Sequence, residues 1–318
     1  MIRPFGLRDL PAVYKLQRSG VRLDLFHHLL VGRSALALAL LAPIPWVGAG
    51  LADYVWQTRG KARAFVQMLR RAGRQEADLL FMAPAVAASD SVSWQIWQQF
   101  LAACATQAAR QGLRRLLAAT GPHTAETDLL AGLGWALYTH EEIYSLPRLA
   151  ASAPLRPAIG LRPREAKDVW WLRRLYSLYT PQLVQLAEGY SVGDDQTQLP
   201  LAWWEMTHER SFVVENKAEV IGGVQVVSGR RGHWLILHGD PGNIGLMSDL
   251  LHFGVQAAGR GHRPILCALR PYQNGLSSAL QTSGSSLLAE RSRLVKHLAA
   301  RVKAAEPLPL PALVAEGP

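Results

Sequence analysis

Hydrophobic and polar positions alternate along SFVVENKAEVIGGVQVVS, residues 211–228, in two runs separated by Asn-Lys-Ala. Period-two alternation rich in valine predicts a strand pair, 211–216 and 219–228. Short apolar runs predict further strands near 158–163, 232–238, 263–269 and 286–295. Apolar spacing near 3.6 predicts helices near 167–188, 244–259 and 273–282. The order is strand, helix, helix, three strands, helix, strand, helix, strand, and the residues before 150 read the same way. The stretch 189–210 is irregular, residues 147–156 have the composition of a linker, and the tail after residue 304 is Pro-rich.

Particular residues support the duplication. Arg3, Pro4 and Asp9 match Arg162, Pro163 and Asp168. Gln67 then aligns with Gln225, Gly112 with Gly261, Arg114 with Arg263 and Gly134 with Gly284, all in the same order. Each Asp stands where a helix opens, a good position for an N-terminal acid. The expected organisation is two domains, 1–150 and 156–303, with a tail at 304–318.

Composition narrows the classes. Of 318 residues 49% are hydrophobic, so a full core is expected and global disorder is excluded. The net charge of +10 is spread over both halves and forms no basic run, so a nucleic-acid partner is not expected. Cys104 and Cys267 lie in apolar segments and read as reduced core thiols in a cytoplasmic protein. No His, Cys or Glu set has metal-ligand spacing, so no metal is expected. Residues 34–52 carry no charge, but Pro43, Pro45, Gly48 and Gly50 interrupt them. They predict a buried helix with a break at Pro43–Pro45, leading into a strand, and not a membrane span.

The stretch ILHGDPGNIGLMSDLLHFG, 236–254, runs from a strand through a Gly-containing turn into an amphipathic helix. Free N–H groups and the helix dipole make such a start suitable for phosphate, though a plain strand-to-helix turn has the same look. Together with IRPFGLRDLPAV, LRPREAKDV and FVVENKAEVIGGVQVV, this stretch resembles the GNAT superfamily of acyl-CoA-dependent N-acyltransferases, twice in tandem. The resemblance implies an α/β (α+β) fold of two GNAT-like domains, each a mixed six- to seven-stranded sheet with helices on both faces. It also implies acetyl-CoA as co-substrate, lying in a V between the fourth and fifth strands. In the second repeat Leu237 and Gly239 would pair with the pantetheine arm. Gly242, Asn243, Ile244, Gly245, Leu246 and Met247 would hold the pyrophosphate, and Asn274 would contact the arm or cap its helix. Gly245 falls on one family glycine, whereas Ile244 replaces the usual Gln or Arg and Met247 stands where a small residue is expected and crowds the phosphate; Gly242 offers a compensating register.

In the first repeat the corresponding stretch, 83–101, has no glycine and places Gln95, Ile96 and Trp97 at the expected helix start. That repeat reads as a degenerate scaffold. The family's usual acid, a tyrosine, is replaced by Leu130 and Leu280. His238, at a strand end, is the candidate base and Tyr272 the candidate acid. Both also read as structural hydrogen-bonders, as Trp94 and Trp97 read as packing. Two functions are compatible with the sequence: an N-acetyltransferase acting on a small-molecule or peptide amine, and a non-catalytic tandem module that binds a ligand or a protein. A homodimer is compatible with either.

Overall fold

The computed structural model describes residues 1–42, 50–58, 61–71, 73–87, 90–147, 160–189, 208–259 and 261–298. In chain order these form β1 (Ile2–Pro4), α1 (Leu10–Leu16), β2 (Val21–Arg22), α2 (Leu25–Leu30), α3 (Ala35–Leu41), β3 (Leu51–Thr58), β4 (Lys61–Arg70), β5 (Glu76–Ala83), α4 (Ser91–Arg110), β6 (Arg115–Thr120), α5 (Ala125–Gly132) and β7 (Ala136–Leu146). The order then recurs with β8 (Leu161–Pro163), α6 (Val169–Tyr179), α7 (Gln182–Glu188), β9 (His208–Asn216), β10 (Glu219–Ser228), β11 (His233–Gly239), α8 (Ile244–Ala257), β12 (Ile265–Leu269), α9 (Asn274–Thr282) and β13 (Ser286–His297). The α/β fold expected from the sequence is present, with helices on both faces of a mixed sheet.

The two openings superimpose in chemistry as well as in order. Arg3 holds Asp9 through two bonds of 2.6 and 2.5 Å, and Arg162 holds Asp168 through two of 2.7 and 2.8 Å. Both carboxylates are buried and also accept a backbone N–H three residues upstream. Gly134 and Gly284 both follow a helix with φ near +75°, the left-handed C-terminal position that favours glycine.

The sheets of the two halves are fused. All strands among the described residues belong to one 13-stranded sheet of order β1-β3-β4-β5-β6-β13-β7-β12-β11-β10-β9-β8, with β2 attached to β5. The last strand of each half has crossed over: β7 lies against β12, β13 lies against β6, and the two are antiparallel neighbours. The second helix of each half crosses as well. α2 packs Leu30 on Val227, Trp234, Leu266 and Ile143. α7 packs Val184 and Ala187 on Leu117, Tyr138 and Val295. The opposite face of the sheet is covered by α4 and α5 over the first half and by α8 and α9 over the second.

Several local expectations change. The helix expected over 167–188 is two helices, because Pro181 lacks an N–H and restricts Thr180 to extended backbone (ψ 129°). Helix α4 starts at Ser91, capped by Asp90, so Trp97 lies well inside it. There Trp97 is 1% exposed and stacked on Phe100, so it packs the core and covers no helix N–H groups. Residues 35–41 form the expected helix, whereas the Pro43–Pro45 break, the linker after residue 147, most of the irregular stretch (190–207) and the tail lie outside the described residues. No described helix is long and apolar enough to cross a membrane.

Candidate functional site

In each half two parallel strands part company. β5 and β6 pair only at Glu76–Arg115, Ala77–Leu116 and Asp78–Leu117, after which β5 runs on to Ala83. β11 and β12 pair only at His233–Ile265, Trp234–Leu266 and Leu235–Cys267, after which β11 runs on to Gly239. Each divergence leaves a V with the edge of the longer strand turned into it.

The first V is filled by the chain itself. Val21 and Arg22 pair with Met82 and Phe81. Leu23 N–H donates to Leu80 O (2.8 Å), and Ala119 N–H donates to Leu23 O (3.1 Å), bridging both arms of the V. Gly20 makes the approach possible, since a Cβ there would stand 2.2 Å from Phe81 Cζ and 2.8 Å from Met82 O. Gly20→Ala is therefore expected to loosen this strap and lower the unfolding free energy by about 1–3 kcal/mol, measured by urea titration. The first V is thus occupied by residues 19–23.

The second V has no such strap among the described residues. Only Thr180 and Pro181 separate α6 from α7, where Gln17–Asp24 separate α1 from α2. The ladder fixes which groups of β11 face the opening. Gly229 N–H bonds Gly232 O across the hairpin, and His233 N–H turns to Pro264 O on the other side. Alternation then points the backbone N–H and C=O of Leu237 and Gly239 away from β10 and into the V.

A cavity of about 260 Å³ occupies this place on the α2, α6 and α7 side of the sheet, and Leu237, His238, Gly239 and Tyr272 line it. His238 is partly exposed, but towards the cavity; burial, aided by the Arg164 charge, pushes its imidazole down to about 4, so it stands neutral near pH 7. The Tyr272 hydroxyl oxygen accepts from Arg270 Nη1 (3.3 Å), leaving its own proton free to be donated. His238 and Tyr272, the candidate base and acid, both line this cavity.

The remaining predicted residues lie beyond the cavity lining, at the helix starts. The Asn243 side chain caps α8 by accepting Leu246 N–H (3.0 Å), and Gly242 N–H is taken by the Asp240 carboxylate (2.8 Å). The N–H groups of Ile244 and Gly245 have no acceptor among the described residues, and Ile244 is exposed. Met247 does not crowd the phosphate face. Its side chain is 3% exposed and lies between Gly239 and Gly275, where added Cβ atoms would stand 2.6 and 3.3 Å from it. Nearby, Gly275 N–H donates to Pro241 O (2.6 Å), tying the α8 loop to the start of α9. Asn274 is the exposed first residue of α9 and not its cap; the N-cap position is Gln273, whose Oε1 accepts Arg270 N–H (2.9 Å). Leu130 and Leu280 are buried in the two cores.

The sequence reading missed the ionic floor of the cavity. Glu188, the last residue of α7, accepts two bonds from Arg270 (2.7 and 3.0 Å) and one from the Tyr138 hydroxyl (3.0 Å). Arg293 pairs with Glu141 (3.4 Å), and Arg71 pairs with Asp78 (2.7 Å). Burial acts to raise the Glu188 carboxyl, but the Arg270 and Arg293 guanidiniums overcome it and hold the group down to about 2. Gly189 (φ +63°) ends α7 immediately after; a Cβ there would collide with Arg115, Arg74 and Glu76. The Glu-Gly pair at a helix end was the only local signal. The first half contributes Asp24 and His27, paired with each other, so both halves line the cavity. Among the described residues no cluster fit to hold a metal is present.

No protein-family model and no curated protein matches the chain. Among solved structures, it is similar to a tandem GNAT protein from the clavulanic acid biosynthesis pathway, at 10% identity and a TM-score of 0.53, covering 94% of this chain and 98% of that one. A GCN5-related N-acetyltransferase from Sphaerobacter thermophilus aligns at 14% identity and a TM-score of 0.52, covering 94% and 95%. What the chain shares with these proteins along almost its whole length is the fold of the GNAT acetyltransferases.

Proposed function

We propose that the protein transfers an acyl group from acyl-CoA to an amine at the open V of its second half. One observation carries this reading: the β11 edge at Leu237 and Gly239 turns into a cavity backbone groups that have no partner among the described residues, where the matching edge of β5 is satisfied by residues 19–23 of the chain itself. The strap of the first V is an extended segment with amide groups, which is also the character of a pantetheine arm, and this supports the reading. Acetyl-CoA would supply the activated acyl group as a thioester. Ile244 and Gly245 offer their free N–H groups, at the positive end of α8, to its phosphates. His238 is the candidate acceptor, through water, for the proton that the amine loses, although burial and the Arg164 charge weaken its basicity. Tyr272 is placed to return a proton to the departing thiolate.

The Gly275–Pro241 bond and the Asp240 carboxylate favour a second reading, a ligand-binding module without turnover. Both stand on the path between the cavity and the helix N-termini. Calorimetric titration with CoA separates the two. Weak but measurable binding is expected in the wild type, and none in Gly245→Trp. The added side chain starts in open space, its Cβ meeting only Asn243 Oδ1 at 3.6 Å, so the fold survives. Absence of heat in the wild type at high micromolar CoA would sink the transfer reading and leave the module.

A further inference from the structure

Two arginines that line the cavity, Arg164 and Arg291, have no ion-pair partner among the described residues, and Arg291 is the buried one. Arg291, on β13, is 9% exposed and lines the cavity. Its Nη2 donates to the carbonyl oxygens of Arg22 (2.9 Å) and Ala119, and its Nε is buried with no acceptor. Among the described residues no carboxylate stands within ion-pairing range of it. The cavity's own acids make their contacts elsewhere, Glu188 with Arg270, Glu141 with Arg293, Asp78 with Arg71 and Asp24 with His27, while Asp24 and Glu141 attract the Arg291 charge without touching it. A guanidinium removed from water with no carboxylate in contact is a costly arrangement, and it is offset when a ligand brings the anion.

The surroundings give the rest of the ligand. Arg291 faces Glu141 across the β13–β7 ladder, and Glu142 faces Leu269 across the next. Arg291 therefore stands at the level where β12 ends and the V opens. Phe26, Ile143, Leu172 and Trp234 supply apolar wall to the same space. An enclosed space of about 150 Å³ accommodates benzene, so 260 Å³ accommodates about ten non-hydrogen atoms.

We infer that this cavity binds an amine that also carries a carboxylate and a small apolar body, with the carboxylate seated on Arg291. The amine half of the assignment rests on the transfer reading; the carboxylate half rests on Arg291 alone. The site is composite: Arg291 comes from the second half, and the carbonyls that hold it come from the strap and β6 of the first.

The test is calorimetric titration of the full chain, without acyl-CoA, using three matched pairs: leucine and isopentylamine, phenylalanine and phenethylamine, 6-aminohexanoate and pentylamine. At least one carboxylate-bearing member is expected to bind, about tenfold or more tightly than its partner. Arg291→Gln is expected to erase that ratio. Arg291 also clamps the strap, so where this variant does not fold the wild-type ratio decides. Equal affinities within every pair, or no heat from any of the six, overturns the inference, as does a folded Arg291→Gln that keeps the ratio. Acyl transfer to the same six amines is assayed separately. Binding without transfer removes the transfer reading and leaves this site standing; transfer confined to the amines without a carboxylate does the reverse.

Discussion

Glu188→Gln is expected to lower the unfolding free energy at pH 7 by about 3–5 kcal/mol, the usual consequence of removing one partner from a buried ion pair. The amide keeps the shape of the side chain and one acceptor oxygen, but it leaves Arg270 and Arg293 without the charge that sits 2.7 and 3.9 Å from them. The Tyr138 hydroxyl loses a charged acceptor as well. The pH dependence separates this from a packing defect. The Glu188 carboxyl is held at about 2 in the folded chain, against an ordinary value near 4.5. A depressed acid contributes stability above its unfolded value and loses it as pH falls through its folded one. Wild type is therefore expected to lose about 3 kcal/mol between pH 4.5 and 2 through this group. Glu188→Gln lacks that component. Chemical denaturation at pH 7, 4.5 and 3 reads both effects; a variant with the wild-type acid slope would show that Glu188 is not the hub.

Asp53→Asn is expected to act in the opposite direction. Asp53 lies on β3, 7% exposed. Burial pushes its carboxyl up to about 7, and the bond from Gln67 Nε2 (2.8 Å) offsets only part of that. Its second oxygen has no partner among the described residues. For an acid raised in the folded state, the full stability is present below the unfolded value near 4 and falls as pH rises through the folded value. The loss by pH 8 is about 4 kcal/mol. Asparagine keeps the acceptor for Gln67 and carries no charge. The variant should match wild type at pH 4 and exceed it by up to about 4 kcal/mol at pH 8, with melting temperature against pH as the readout. Parallel curves for the two proteins would show that Asp53 ionises freely.

Much of the fold was legible because its signals are local or repeated. The Arg-x5-Asp spacing of Arg3/Asp9 and Arg162/Asp168 marks two equivalent clamps, and Gly134 and Gly284 mark two equivalent helix ends. The turn into α8 could be read from its glycines and from the apolar run before it, while the Asn243 cap emerges only in the structure. The strap was not legible, because two residues of extended chain at Val21–Arg22 have no period to detect. Nor was the exchange of β7 and β13, since either strand would satisfy the same neighbour and the choice is made by long-range geometry. The ionic floor was missed for a related reason. Glu188 and Arg270 are 82 residues apart, and each alone looks like an ordinary surface charge. Asp53 hid in an alternating strand, where a polar residue reads as solvent-facing.

The exchange of the two closing strands also sets a clock on biosynthesis. β6 emerges from the ribosome early, with β5 able to cover one of its edges, but the other edge belongs to β13. Arg291 and the Ala119 carbonyl that it meets are separated by 172 residues. At roughly 5–20 residues per second, the nascent chain carries that bare strand edge for about 10–35 s before its partner exists. Throughout that interval the edge is a template for pairing with other chains. Yield in a heterologous host should therefore depend on elongation speed and holdase supply, and a message truncated before residue 286 should give inclusion bodies instead of a soluble first half.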